Sequence, residues 1–136
     1  MYGLDSSTRL DSLVGHALIQ IAFSTFQLIL RFKDQATTDR SQKSYASISI
    51  QAICRVHSQD GQILAEWKPE REGETYEPCD LRPLATCLKH QIVDCLVPRD
   101  GSLWLRLDND KRLEMLDDNR EFESYQITIG DRLIVV

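Results

Sequence analysis

Between Arg99 and Ile129 three short runs alternate apolar with polar residues, and turn residues separate them. The first is Leu103-Trp104-Leu105-Arg106-Leu107, set off by Asp100-Gly101. The second is Lys111-Arg112-Leu113-Glu114-Met115-Leu116, which follows Asp108-Asn109-Asp110. The third, Glu123-Ser124-Tyr125-Gln126-Ile127-Thr128-Ile129, comes after a polar link. A period of two calls for strands with one buried face, and breaks this short call for antiparallel neighbours. The stretch therefore predicts a β-meander, with Leu103, Leu105 and Leu107 turned inward and Trp104 and Arg106 turned outward.

The same reading extends to the rest of the chain. Ala17, Ile19, Ile21 and Phe23 alternate with more polar neighbours, as do Phe26, Leu28, Leu30 and Phe32, and Ser24-Thr25 between them predicts a hairpin. Lys33 to Ser44 holds one apolar residue, Ala36, and reads as a loop. Ile48, Ile50, Ala52, Cys54 and Val56 share one face of a strand, Asp60-Gly61 turns, and Ile63 to Trp67 returns. Lys68 to Pro78 is acidic and broken by Pro69, Gly73 and Pro78. Asp80 then suits a helix N-cap, and Leu81, Leu84, Ala85 and Leu88 form a helical stripe. A helix over Leu81–Lys89 is predicted, followed by a strand through Ile92 and Cys95 and, after Gly130-Asp131, a last strand from Leu133 to Val136. The first fifteen residues are weakly patterned. The fold class is α+β: antiparallel hairpins and meander in eight or nine strands, with one well-formed helix, as a single domain over residues 1–136. Leu28, Leu30, Ile48, Ile50, Leu103, Leu105, Leu113 and Ile127 are expected to be buried together.

The two halves of the chain look alike. His16 precedes a strand, a turn and Leu28-Ile29-Leu30-Arg31-Phe32, and His90 precedes a strand, a turn and Leu103-Trp104-Leu105-Arg106-Leu107. This fits an internal β-repeat, residues 16–67 and 90–136, linked by the acidic loop 68–79 and the helix 81–89. It fits equally well two unrelated hairpins that obey the same rules.

The 136 residues carry a net charge of -5, with 42% hydrophobic residues. That balance predicts a globular core and argues against tracking a nucleic acid backbone, which needs clustered Lys and Arg. The most apolar stretch, Ala17 to Phe32, is broken by Gln20, Ser24, Thr25, Gln27 and Arg31, so no membrane span is expected. The start of the chain lacks the basic and apolar run of a signal peptide, so the cytosol is the expected compartment. Cys54, Cys79, Cys87 and Cys95 form no Cys-x-x-Cys pair and are expected to be reduced thiols.

The run Asp100 to Leu113, followed by Glu123-Ser124-Tyr125-Gln126-Ile127, resembles a family of small bacterial β-rich domains of unknown function. The pattern of that family is a strand, a turn rich in Asp, Asn and Gly, a second strand, and a strand start of the form Glu-x-Trp or Glu-Ser-Trp. Relatives of this kind occur beside toxin genes as immunity proteins or orphan modules. The resemblance covers about residues 90–136, with a looser echo in Ala17 to Asp34. Here Tyr125 replaces the Trp, and Asp110 stands where Gly is usual. The resemblance implies a binding role and brings no catalytic residues with it.

The residues themselves offer little chemistry. His16, His57 and His90 show no His-x-His or His-Glu-x-x-His spacing, and each falls at the end of an element, so no metal and no other cofactor is expected. No nucleophile elbow and no glycine-rich phosphate loop is present. Asp117-Asp118 falls in a polar turn, where paired carboxylates are solvated rather than poised for proton transfer. Two acidic segments stand out. Glu66 to Asp80 carries six acids against Lys68 and Arg71, and Asp108 to Glu123 carries seven against Lys111, Arg112 and Arg120. Acidic surface either keeps a protein in solution or steers a basic partner. The partner reading places Glu70, Glu72, Asp117, Asp118 and Glu121 around the anchors Trp67, Tyr76 and Tyr125. The expected function is non-catalytic: a cytosolic immunity protein that occludes the active site of a cognate toxin with a basic surface. The alternatives are a small metal- or His/carboxylate-dependent hydrolase, and a self-associating accessory domain.

Overall fold

A computed structural model of the chain describes residues 10–38, 41–118 and 124–136. It holds ten strands: β1 (His16–Phe23), β2 (Leu28–Asp34), β3 (Tyr45–Ile50), β4 (Cys54–His57), β5 (Ile63–Trp67), β6 (Ile92–Leu96), β7 (Leu103–Leu107), β8 (Arg112–Met115), β9 (Tyr125–Ile129) and β10 (Arg132–Val135). They form two five-stranded sheets, ordered β1-β2-β3-β9-β10 and β5-β4-β8-β7-β6, and every pairing is antiparallel. The inner faces of both sheets share one core. It contains the eight residues expected there, together with Phe32, Val56, Trp67, Met115 and Tyr125.

The topology relates the two halves of the chain. A three-stranded meander, β1-β2-β3, is followed by a hairpin, β4-β5, that crosses to the other sheet. The meander β6-β7-β8 is followed by the hairpin β9-β10, which crosses back. Each sheet is therefore one unit's meander completed by the other unit's hairpin. Registers correspond as well: Leu28 lies opposite Ile50 and Leu30 opposite Ile48, as Leu103 lies opposite Met115 and Leu105 opposite Leu113.

Paired hydrogen bonds join the sheets at two corners. At one, the Gly15 N–H donates to the Ile92 carbonyl (2.8 Å) and the Lys89 N–H to the Leu18 carbonyl (2.7 Å), flanking a single bridge between Ala17 and Gln91. At the other, the Gln51 N–H donates to the Ser124 carbonyl (2.8 Å) and the Leu116 N–H to the Ile53 carbonyl (2.9 Å). In each pair, exchanging the two halves converts one bond into the other.

Three expectations are corrected here. The helix over Leu81–Lys89 shrinks to one α-helical turn, α1 (Arg82–Ala85). Leu84 is its buried residue; beyond it the path tightens to three-residue spacing, so that Cys87 is buried and Leu88 is left exposed. Lys89 then turns to φ +71° to bond β1. The run from Ile48 to Val56 is two strands, because the chain changes sheet between Ile50 and Cys54 while the alternate residues stay buried. The first hairpin is also shifted by one residue. The Ser24 N–H bonds the Gln27 carbonyl, so Thr25 and Phe26 form the tip, and a bulge between Leu18 and Gln20 reverses the phase of β1. Ile19 at the bulge and Phe26 at the tip consequently face solvent, and Phe23, although opposite the buried Leu28, is exposed at the strand end.

Candidate functional site

Two of the places where charged and aromatic side chains meet are candidate sites. The first is the end of the molecule where the β1–β2 tip meets the acidic loop that follows β5. The Glu70 N–H donates to the Thr25 carbonyl (2.6 Å), which fixes the loop to the tip. Phe23 and Phe26 flank that contact and are 59% and 62% exposed, a large apolar area to leave in water. Arg71 pairs with Asp118 (3.1 Å), drawing the segment after β8 to the same place. The Ser124 hydroxyl donates to Asp117 (2.9 Å). The two acidic segments, far apart in the sequence, therefore meet in the fold.

This changes the membership of the expected site. Glu70, Asp117 and Asp118 are half-buried at this end, Glu72 is exposed and Tyr76 is half-buried in the same loop. Glu121 lies outside the described residues. Trp67 and Tyr125 are core residues, 1% and 0% exposed, and neither can anchor a partner. Burial pushes the Tyr125 phenol well above its usual range, and its hydroxyl donates to the Gly101 carbonyl (2.7 Å), bridging the first sheet to the turn before β7. Phe23 and Phe26 supply the exposed aromatic surface instead. Their signal in the sequence was a hairpin with two aromatic residues next to a poor turn dipeptide.

The second region is the outer face of the sheet β5-β4-β8-β7-β6. Glu66, Arg55, Glu114 and Trp104 stand in one row across β5, β4, β8 and β7. Arg55 Nε donates to Glu66 (2.6 Å), Lys68 pairs with Glu66 (3.3 Å), and Arg55 reaches Glu114 at 3.6 Å. The Arg55 hydrogen bond holds the Glu66 carboxyl below the usual carboxylate range. His57 Nε2 donates to Glu114 Oε1 (2.9 Å), and its ring lies 4.7 Å from that of Trp104. His57 and Glu114 are both buried although they sit on the outward phase of their strands, because Trp104 and Arg55 cover them. Strand phase alone makes His57 and Glu114 polar outward residues; their contact requires the β4–β8 pairing, which joins distant segments.

A histidine and a carboxylate in contact can exchange a proton with a bound group. Among the described residues, no hydroxyl or thiol bonds His57, so no activated nucleophile adjoins the pair. Likewise, among the described residues no three His, Cys, Asp or Glu side chains are placed to hold a metal ion. His16 and His90 lie elsewhere: His16 is buried at the start of β1, and His90 Nδ1 pairs with Asp108 (2.7 Å). All four cysteines are free thiols. Burial raises Cys54 and Cys95 to about 12 and also raises Cys79 and Cys87, which leaves little reactive thiolate.

Comparison with family models, with curated proteins and with solved structures gives no match. Among the described residues no helix is long and apolar enough to cross a membrane.

Proposed function

We propose that the chain is a non-catalytic protein-binding domain of the immunity type, whose acidic end takes up a cognate toxin with a basic surface. The observation that carries this reading is the bond between Glu70 and Thr25, which places the exposed Phe23 and Phe26 against the acidic loop. Apolar anchors flanked by charge suit an interface in which the anchors set the off-rate and the charged rim steers the approach. Glu70, Glu72 and Asp117 form that rim, and Asp118 is engaged by Arg71. This role places the protein in the cytosol, where free toxin would act on its own cell.

The test is protection against the product of an adjacent toxin gene. Co-expression with that toxin restores growth, and failure to protect removes the immunity reading. Replacing Phe23 and Phe26 by Ser speeds dissociation. Replacing Glu70, Glu72 and Asp117 by Ser slows association and flattens its dependence on salt, because exposed charges act over a Debye length, roughly 10 Å at 0.1 M salt. Salt-independent association of the wild-type chain would refute steering.

The contact between His57 and Glu114 supports a second reading, an acid–base hydrolase. The variant His57→Gln separates the two: a hydrolase loses activity, whereas an inhibitor that binds through the acidic end still protects.

A further inference from the structure

Two five-stranded sheets have four end strands, and in this fold three of them are guarded. β1 and β6 each carry a bulge, between Leu18 and Gln20 and between Ile92 and Asp94, and beside it each is bonded to the segment that precedes the other, Leu18 to Lys89 and His90 and Ile92 to Gly15. The strand β5 is bulged where it passes His57, carries Glu66 in an ion pair with Lys68, runs into Pro69 and is packed by α1. Bulges, charges and prolines are the usual means of closing an edge to further pairing. The equivalent edge in the other sheet, β10, has neither a bulge nor a proline. It reads Arg132-Leu133-Ile134-Val135, with one charge, no bulge against β9 and no strand on its outer side among the described residues. Leu133 is 60% exposed.

The hydrogen-bond phase of this edge is fixed. Val136 and Tyr125 bond each other in both directions (2.9 and 3.3 Å). Bonded and non-bonded pairs alternate along an antiparallel ladder, so Ile134 and Arg132 are the other residues bonded to β9. Leu133 and Val135 therefore point their N–H and C=O groups away from the sheet.

We propose that β10 pairs antiparallel with β10 of a second copy of this chain, joining two sheets across a two-fold axis. The strand is self-complementary. With the axis at Ile134, Leu133 stands opposite Val135 of the second copy, and both are residues whose bonding groups are open. Leu133 gains an apolar cross-strand neighbour, and the two Arg132 side chains lie at opposite ends of the new ladder, so no like charges meet. One bare edge per copy closes the assembly at a dimer instead of a filament. Four residues make a short ladder, so the dimer is weak and reversible. This inference rests on the sheet edges and not on the partner reading.

Sedimentation velocity of the full chain over a wide concentration range tests it. The wild-type chain shows a dimer fraction that rises with concentration. Leu133→Lys, which places a charge at the edge, and Val135→Pro, which removes only an outward N–H, both abolish the dimer. Ile63→Lys on the guarded edge leaves it unchanged. Circular dichroism checks that each variant is folded; if Val135→Pro unfolds, Leu133→Lys decides. A wild-type chain that is monomeric at every concentration, its edge left for some other strand, overturns the proposal. So does a dimer that Leu133→Lys leaves intact.

Discussion

The outer faces of the two sheets occupy equivalent positions and carry different side chains. In the first sheet Ile29, Ser49, Gln126 and Val135 form a row; in the second, Trp104, Glu114, Arg55 and Glu66 fill the corresponding row. In the next row Ser47 and Thr128 correspond to Arg112 and His57. The registers are the same, so strand pairing does not require the charges. Uncharged residues fill the row on the first face that matches the charged row of the second, with Gln27 hydrogen-bonded to Ser49, while Arg31 in the next row stacks 4.9 Å over the Tyr45 ring. The second face links Lys68, Glu66, Arg55, Glu114 and His57 in one chain of contacts and takes two of these side chains, His57 and Glu114, out of water. A fold that accepts serine at one position and a buried glutamate at its counterpart has specialised one side. We propose that the two units, residues 16–67 and 90–136, descend from a duplicated ancestor and that this divergence followed.

Equivalence should be strongest in the core. Leu30 and Leu105 are both 0% exposed and occupy corresponding positions. Each replaced by Ala is expected to cost roughly 2–5 kcal/mol through lost burial and a cavity. Urea denaturation of both variants measures this, and a cost confined to one sheet would break the correspondence. The faces should part company at the next level. Glu114→Ala leaves His57 and Arg55 without their shared acceptor and should cost about 1–3 kcal/mol. Its counterpart Ser49→Ala should stay within about 0.5 kcal/mol, the ordinary range for a surface change. Equal costs would mean that the charged network adds nothing to the second face.

The meander was legible because its period of two runs uninterrupted between Asp-Gly and Asp-Asn turns. What stayed hidden has physical causes. The sheet change between Ile50 and Cys54 leaves the alternation intact, since Ala52 is also buried, so periodicity carries no trace of it. The stripe Leu81, Leu84, Ala85, Leu88 matches a helix, but the core takes Cys87 in place of Leu88. Acids near Trp67 and Tyr125 in the sequence point them to the partner surface, although both are core residues. Phase held better information, for Trp67 shares the face of Ala65, and Tyr125 that of Ile127, both buried. The meeting of the two acidic segments was out of reach, because Arg71 finds Asp118 only after β5 and β8 have both paired with β4.

The corner bonds allow a finer comparison. Gly15 at φ +91° and Lys89 at φ +71° perform the same task, each donating its N–H across the corner. A side chain costs about 1–2 kcal/mol in this left-handed conformation, whereas glycine adopts it freely. Nothing lies within 4 Å of a Cβ added at Gly15, so Gly15→Ala would be opposed by conformation alone, by about 1 kcal/mol. Lys89→Gly should do the reverse. Relief of the strain, less the extra freedom of glycine in the unfolded chain, leaves a gain of about 0.5 kcal/mol. Thermal melts of the two variants should move in opposite directions, and a loss of stability in Lys89→Gly would mean that the lysine side chain holds the corner.

The smallest effect concerns the two histidines that open the equivalent meanders. His90 is partly exposed and pairs with Asp108. His16 is buried, and its Nδ1 has no partner among the described residues. Burial lowers the His16 pKa below its ordinary 6.5, and Lys33 adds to this, while Asp34 and the Leu13 backbone oppose it. The unfolded chain therefore takes up a proton near pH 6.5 that the folded chain accepts only at lower pH. Between those two values the unfolded state binds more protons, so stability falls as pH falls. Above pH 6.5 both states are neutral at this residue, and below the folded value both are charged, so the slope is confined to that interval. His16→Gln carries no titrating group and should lose this part of the decline, whereas His90→Gln should keep it. Urea midpoints at about pH 7.5, 6 and 5 measure the difference. If His16→Gln declines as steeply as the wild-type chain, burial of His16 is not what distinguishes the two corners, and the acid sensitivity of the fold must come from groups the halves share.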